Sequence, residues 1–305
     1  MKKQTNFKLD RRDSLWFEEN SAHVNIAYAK DVCDVAILPI GSIEQHGAHC
    51  PCAMDTYNAM GIAEKVAEKT GAMILPCPMY GSHPHHHWGM PGTIPLTYET
   101  HIGLLKDIVR GAANAGFNKF VIISAHGQVS STIVAVHELG IEGFFTVSST
   151  WYDFLRDDKT VLNNYMWHAD EAESSVGLYL YPDKMNMDLA EEGACEGLTD
   201  SKWKIAPGEL SKAGQFYHFE GTFAQPEKDD LVNGVIGRPE EATTEKGEAL
   251  VNGVANYYSE FIEEIKSKYD IGVNPLGFRN PLGYNNTHNI QYDKDHDENG
   301  KLIRK

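Results

Sequence analysis

Phe117-Asn118-Lys119-Phe120-Val121-Ile122-Ile123-Ser124 decides the fold of this chain, and it runs straight into Ala125-His126-Gly127. A short apolar run closed by glycine reads as a strand buried on both faces. Its sequel presents a histidine at the strand's carboxyl end. Working outward, Asp34 to Gly41 (DVAILPIG) and Ala72 to Leu75 (AMIL) are earlier strand candidates, and Gly143 to Ser148 (GFFTVS) a later one. Between them, Tyr57 to Lys69 reads as a helix with Met60, Ala63, Val66 and Ala67 on one side. Thr100 to Ala115 is helical in pattern with Gly116 as its C-cap, and Ser130 to Leu139 follows the central strand as another helix. The Gly-, Pro- and His-rich span from Tyr80 to Thr97 reads as loop.

Strands alternating with helices predict crossover units and a mostly parallel sheet in an α/β domain. Polar clusters recur after the strands, where open α/β sheets place their sites. One domain is expected over residues 1–269. Residues 270–305, rich in Asn, Asp, Gly and Pro with little periodicity, read as an irregular C-terminal extension.

The 305 residues are 42% apolar, enough for a substantial core without staples, and carry a formal net charge of -16. That acidic balance argues against a nucleic-acid partner, which needs a basic footprint. The start of the chain has no apolar signal core, and no uncharged apolar run approaches the length of a membrane span, so a cytoplasmic protein without a membrane partner is expected. Cys33, Cys50, Cys52, Cys77 and Cys195 are odd in number and irregularly spaced, which fits reduced thiols.

Three clusters hold metal-ligand chemistry. In Gly41 to Asp55 (GSIEQHGAHCPCAMD), Glu44 and His46 are two apart and can face one side of an extended segment. Asp55 follows just before a helix, where it can cap the N-terminus or bridge two cations. Hard oxygens mixed with imidazole suit Zn, Mn or a similar divalent ion better than calcium. Taken alone, the segment fits a surface loop equally well, with His49 as a neighbouring or capping group. The second cluster is Ser124 to Gln128, where His126 is either a ligand or a packed side chain, and Gln128 suits hydrogen bonding to substrate or backbone. The third is His168 to Ser175 (HADEAESS). An acidic run of this kind ordinarily marks a solvated face or a helix start. Here the apolar residues after Ser175 place Glu173 beside buried structure, where it wants a cation. The loop from Gly81 to Thr93, with four histidines, reads as a pocket wall or as a packed surface loop.

These motifs together resemble the creatininase (creatinine amidohydrolase) family. GSIEQHGAHCPCAMD is similar to the family's GSxEQHGPHLPxxTD, and HHHWGMPGT (His85 to Thr93) to its EHxGFPGT loop. SAHGQVSS (Ser124 to Ser131) stands where members have NGHGGN, and HADEAESS matches HAGExETS. GVIGRPEEATTEKGEAL (Gly234 to Leu250) resembles the family's late segment. The resemblance implies a three-layer α/β/α sandwich around a central parallel sheet, assembled as a homo-oligomer, commonly a hexamer. It implies two divalent metal ions per subunit, Zn or Mn or another divalent ion, with Glu44 and His126 on one, His46 and Glu173 on the other, and Asp55 bridging. In true creatininases a glutamate lies two residues after the histidine of the third motif. That position is Gln128 here, and Glu173 replaces it as ligand. Further departures at Ser124, Val129, Ser130, His86 and His87 fall in the substrate shell.

The implied chemistry is ring-opening hydrolysis of a small cyclic substrate, with amide C–N cleavage as the first reading. C–C hydrolysis of a diketo-inositol, as in the 3-dehydro-scyllo-inosose hydrolase-like branch of inositol catabolism, is the alternative. His168 is the expected catalytic histidine, with Glu171 as a second candidate for proton transfer. His87, Trp88, Gln128 and Trp151 are expected to line the substrate site. A non-catalytic, metal-stabilised binding subunit is the third reading; a ligand set that leaves room for water argues against it. A dinucleotide-dependent dehydrogenase is disfavoured because GSIEQH, not GxGxxG, follows the first strand.

Overall fold

A computed structural model of the chain describes residues 14–156, 161–164, 166–193 and 233–277. Helix α1 (Ala22–Asp31) leads into strand β1 (Val35–Ile40), then helix α2 (Met54–Thr70) and strand β2 (Met73–Ile74). Helix α3 (Tyr98–Ala113), strand β3 (Lys119–Ser124), helix α4 (Val129–Ile141) and strand β4 (Phe145–Thr150) follow, and helices α5 (Glu171–Leu180) and α6 (Thr244–Lys268) complete the order. The strands lie β2-β1-β3-β4, all paired in parallel.

Side-chain alternation along the strands builds two cores. On one face Val35, Ile37, Val121 and Ile123 pack against Ile62 and Val66 of α2, Val176 of α5 and Leu250, Val254 and Ile262 of α6. On the other, Ala36, Leu38, Ile40, Phe120 and Ile122 pack against Ala29 of α1, Leu105 and Val109 of α3, and Leu139 of α4. Every residue of β1 and of β3 is buried, which is why both read as continuous apolar runs. The result is the three-layer α/β/α sandwich expected.

Helix ends follow the local sequence. Thr97 caps α3 through Thr100 N–H, and Asp170 caps α5 through the N–H groups of Ala172 and Glu173. Helix α2 stops at Gly71, whose φ of 70° the left-handed turn requires. It starts three residues earlier than the expected Tyr57, which puts Asp55 in its first turn rather than at its cap. The long helix α6 was concealed in the family-like late segment, and α1 has too weak an apolar stripe to announce itself.

The strand ends are level. Ile40 pairs with Ser124, and Ser124 with Thr150. The chain leaving each strand therefore emerges on one rim, and the loop after β1 meets the loop after β3 there. At the opposite rim Lys119 is wholly buried, with Nζ 2.5 Å from Asp34 Oδ2. The first residues after α6 dock on that rim: Gly272 N–H donates to Asp34 Oδ2 at 2.7 Å, and Asn274 Nδ2 to the Gly143 carbonyl at 2.8 Å. The remainder of the expected extension, 278–305, lies outside the described residues, as does Cys195. Cys33, Cys50, Cys52 and Cys77 are free thiols. Among the described residues no helix is long and apolar enough to cross a membrane.

Candidate metal centre

Glu44, His46, Asp55, His126 and Glu173 meet at the carboxyl rim of the sheet, all buried. Glu44 and His46 leave the end of β1, Asp55 comes from the first turn of α2, His126 follows β3, and Glu173 lies in the first turn of α5. Asp55 stands between two halves. Its Oδ1 is 3.2 Å from His46 Nε2, and its Oδ2 is 3.1 Å from His126 Nδ1. On one side Glu44 Oε2 lies 2.9 Å from His126 Nδ1; on the other Glu173 Oε2 lies 3.7 Å from His46 Nε2.

The two histidines are aimed in the same way. His46 Nδ1 donates to the carbonyl of Glu44 at 3.0 Å, and His126 Nε2 to the carbonyl of Ser82 at 3.1 Å. Each ring thus has one N–H tied to backbone and turns the other nitrogen toward the carboxylates, the arrangement that metal-binding histidines adopt. The carboxylates are oriented too. Ser42 Oγ donates to Asp55 Oδ2 at 2.7 Å, and Ala169 N–H donates to Glu173 Oε2 at 2.6 Å. Ala169 holds that amide in place with a φ of 50°, unusual for a residue with a β-carbon.

Whether these residues fit a pair of cations is tested by their charges. Three buried carboxylates converge here, and the described residues bring no lysine or arginine among them. Only imidazoles face them. His46 Nε2 is buried and makes no hydrogen bond, although it lies close to two carboxylate oxygens. Burial opposes charge on His46, but Asp55, Glu173 and Glu44 outweigh it and raise the ring to about 10. Burial also opposes ionisation of Glu44, yet His126, His87 and His168 hold its carboxyl well below the usual range. Glu173 has its carboxyl pushed well up, by burial first and then by Asp55 and Asp170. A carboxylate–imidazole set under this strain fits a site for divalent cations with borderline ligand preference, Zn or Mn. His46, Asp55 and Glu173 form one group, and Glu44 and His126 with His83 another, their ligand atoms within 4.8 Å of one another.

His168 is half-buried beside the cluster. Its ring stacks on His46 with centroids 4.4 Å apart, and its Nε2 meets the Gln45 carbonyl at 2.9 Å. His87 lies closer to the centre than a substrate contact would require, with Nδ1 3.0 Å from Glu44 Oε1. Trp88 is half exposed on the rim and donates from Nε1 to the His83 carbonyl at 3.3 Å. His83 is another of the four histidines of the Gly81–Thr93 loop, and its spacing there does not distinguish it. It is buried, and its ring sits 4.4 Å from that of His126.

Three of the expected site residues make their contacts outside the cluster. Glu171 points away from the cluster and accepts from Asn163 N–H, Asn164 N–H and Asn164 Nδ2 at 3.0, 2.9 and 2.9 Å, while Lys246 Nζ sits 2.5 Å away. Those contacts occupy both of its oxygens outside the cluster. Gln128 spends both ends of its amide on backbone, accepting from Ser82 N–H and donating to the Gly41 carbonyl, each at 3.1 Å. Trp151 turns inward from the end of β4 and is wholly buried among the apolar side chains beneath the rim.

The family model described as creatininase (creatinine amidohydrolase) matches residues 20–262. This chain belongs to the creatininase family. Among family relatives, it is 32% identical over 260 residues to the 3-dehydro-scyllo-inosose hydrolase of Thermotoga maritima, covering 80% of this chain and 81% of that one. It is 32% identical over 174 residues to the creatinine amidohydrolase of Pseudomonas putida, covering 50% of this chain and 67% of the relative. A solved structure titled "Creatininase Mn" superposes with a TM-score of 0.66 at 23% identity, covering 83% of this chain and 99% of that one. Creatininase-family membership and the buried carboxylate–imidazole centre make the chain a metal-dependent hydrolase.

Proposed function

We propose that the protein opens a small oxygenated ring by hydrolysing the C–C bond beside a ring carbonyl, on a diketone related to the inositols. Two considerations support this over hydrolysis of creatinine. The likeness to the 3-dehydro-scyllo-inosose hydrolase extends over four fifths of both chains, whereas that to the creatinine amidohydrolase covers half of this one. Gln128, at the position where true creatininases resemble one another in having a glutamate, is bound at both ends to backbone and takes no part in the cluster. The observation that carries the hydrolytic reading is the bridging placement of Asp55, one oxygen toward each histidine.

Glu44 and His126 would hold one cation, His46 and Glu173 the other, with Asp55 shared between them. When bound, divalent ions supply Lewis acidity and a nucleophilic water near neutral pH. Ser42 and the Ala169 amide keep Asp55 and Glu173 from rotating as charge changes in the site. Water adds across the ring bond. Its hydroxyl joins the carbonyl carbon, the bonding pair leaves with the departing carbon, and a proton must reach that carbon. His168, packed on His46 with its Nε2 held by the Gln45 carbonyl, is the group assigned to deliver it. Trp88 and His87 form the wall that covers the ring.

Cyclic amide cleavage is the second reading, favoured by the family description itself. It uses the same residues, with nitrogen accepting the proton. The test is turnover by zinc- or manganese-loaded protein of 3-dehydro-scyllo-inosose, creatinine and small lactams, with Glu173→Ala as control. Ring opening of the inositol ketone alone, lost in the variant, supports C–C hydrolysis. Cleavage only of creatinine or a lactam would replace it with the amide reading.

A further inference from the structure

Behind His126 runs a chain of buried polar groups that the reaction does not use, and Ser82 is its centre. The Ser82 carbonyl accepts from His126 Nε2 at 3.1 Å. Its N–H donates to Gln128 Oε1 at 3.1 Å, and its hydroxyl meets Ser131 Oγ at 2.7 Å. Ser131 Oγ also donates to the Gln128 carbonyl at 3.2 Å and meets His101 Nδ1 at 2.8 Å. Ser82, Gln128, Ser131 and His101 are all buried.

The loop is pressed onto the strand end at this point. A β-carbon on Gly81 would stand 2.4 Å from Gln128 Oε1 and 2.8 Å from the Gly41 carbonyl, so no larger residue fits without moving the strut. Ser82 is therefore held from the start of α4, and through Ser131 from α3, on the same side of the sheet. His101 makes that hold at a cost. Its Nε2 is buried and meets no partner among the described residues, so an apolar side chain at this place would avoid an uncompensated polar atom. The polar contact the imidazole makes is the one to Ser131.

We infer that His101 and Ser131, which touch no member of the carboxylate–imidazole cluster, are positioning residues for the metal centre, acting through Ser82 to aim His126 Nδ1 at Glu44 and Asp55. This rests on the reading of His126 as a ligand. A histidine ligand whose outer hydrogen bond is lost binds its metal some 10- to 100-fold more weakly. Ser131→Ala and His101→Ala leave the Ser82 carbonyl present but free to shift, so the lower end of that range applies.

The experiment is a zinc titration of the full-length, metal-stripped protein against a chromogenic chelator, run beside the visible spectrum of the cobalt-loaded form. Ser131→Ala and His101→Ala are expected to weaken zinc binding about tenfold and to change the cobalt spectrum, while the urea midpoint of the metal-free protein stays near the parent's. Ser131→Thr, which keeps the hydroxyl, and His101→Asn, whose amide nitrogen can replace Nδ1, are expected to recover most of the affinity. Unchanged affinity in both alanine variants, alongside its loss in His126→Ala, overturns the inference while leaving the metal site standing. A loss that follows a fallen urea midpoint and is not recovered by the conservative variants assigns a structural role only and overturns it as well. Parent-like zinc binding by His126→Ala would overturn the ligand reading and the inference together.

Discussion

Lys119 Nζ lies 2.5 Å from Asp34 Oδ2, and both side chains are shut beneath the sheet at the rim farthest from the metal centre. The Asn118 side chain, 3.1 Å away, and the Asp270 carbonyl, 3.3 Å away, complete the ammonium's surroundings. Removing one partner strands the other in a dry interior. Lys119→Ala should therefore lower stability by roughly 3–5 kcal/mol. Urea unfolding should register that loss, while zinc affinity measured below the transition stays at the parent value. A comparable loss of zinc affinity would show that the two rims are coupled.

Metal binding should depend steeply on pH. His46 is raised to about 10 by Asp55, Glu173 and Glu44 against the effect of burial, and Glu44 and Asp55 raise His126 well above its ordinary value. The carboxylates hold both rings toward their protonated forms, and a cation that binds has to displace those protons. Zinc affinity is expected to rise from pH 6 to pH 8, with proton release on binding seen by calorimetry in buffers of different ionisation enthalpy. Binding without proton release would contradict this.

The metal-free protein should show the reverse trend in stability. A histidine whose folded pKa exceeds its unfolded value of 6.5 stabilises the fold fully below 6.5 and loses that contribution as pH climbs through about 10. Melting temperatures of chelator-treated protein should fall between pH 7 and pH 10. A flat or rising profile would mean that the carboxylates do not hold these rings protonated.

Glu171 is expected to matter for folding and not for the reaction. Glu171→Ala leaves the amides of Asn163 and Asn164 without their acceptor and Lys246 with the Glu241 carbonyl but no carboxylate, a loss of roughly 3 kcal/mol. Chemical denaturation and kcat measured on the folded protein separate the two. A hundredfold fall in kcat at unchanged stability would return Glu171 to the catalytic group.

Ala169→Val tests the strained amide that orients Glu173. A β-branched side chain is disfavoured at a φ of 50°, and Ala169 is wholly buried, so added methyl groups must be packed into the interior. A stability loss above about 2 kcal/mol and metal content below two ions per chain, read by elemental analysis, are the expected outcomes. Full metal content would show that Glu173 needs no help from this amide.

Much of this could be read from the sequence because the cluster is written in local pairs. Glu44 and His46 share one short segment, and His126 stands directly behind a strand too apolar to be anything else. What escaped depends on distant partners. Glu171 looks catalytic until Lys246, 75 residues away, is seen to pair with it. Gln128 offers a free amide on paper, and only the approach of Ser82 and Gly41 shows both ends occupied. Trp151 follows a strand just as His126 does, but it opens a 3-10 turn, Trp151–Arg156, and packs into the core. His83 was one histidine among neighbours, and nothing in its spacing distinguishes it until the loop folds back onto His126.

The level ends of β1 and β3 carry a consequence for how the protein matures. Glu44, His46 and Asp55 share one short segment, but His126 and Glu173 lie far from it along the chain, so an unfolded polypeptide offers an incoming ion only part of the donor set. The complete set of five donors comes together only where the ends of β1 and β3 are level and α5 has packed beside them. In the metal-free fold the imidazoles of His46 and His126, held toward their protonated forms by the carboxylates around them, offset negative groups that would otherwise repel one another. Loading the site then amounts to exchanging protons for metal.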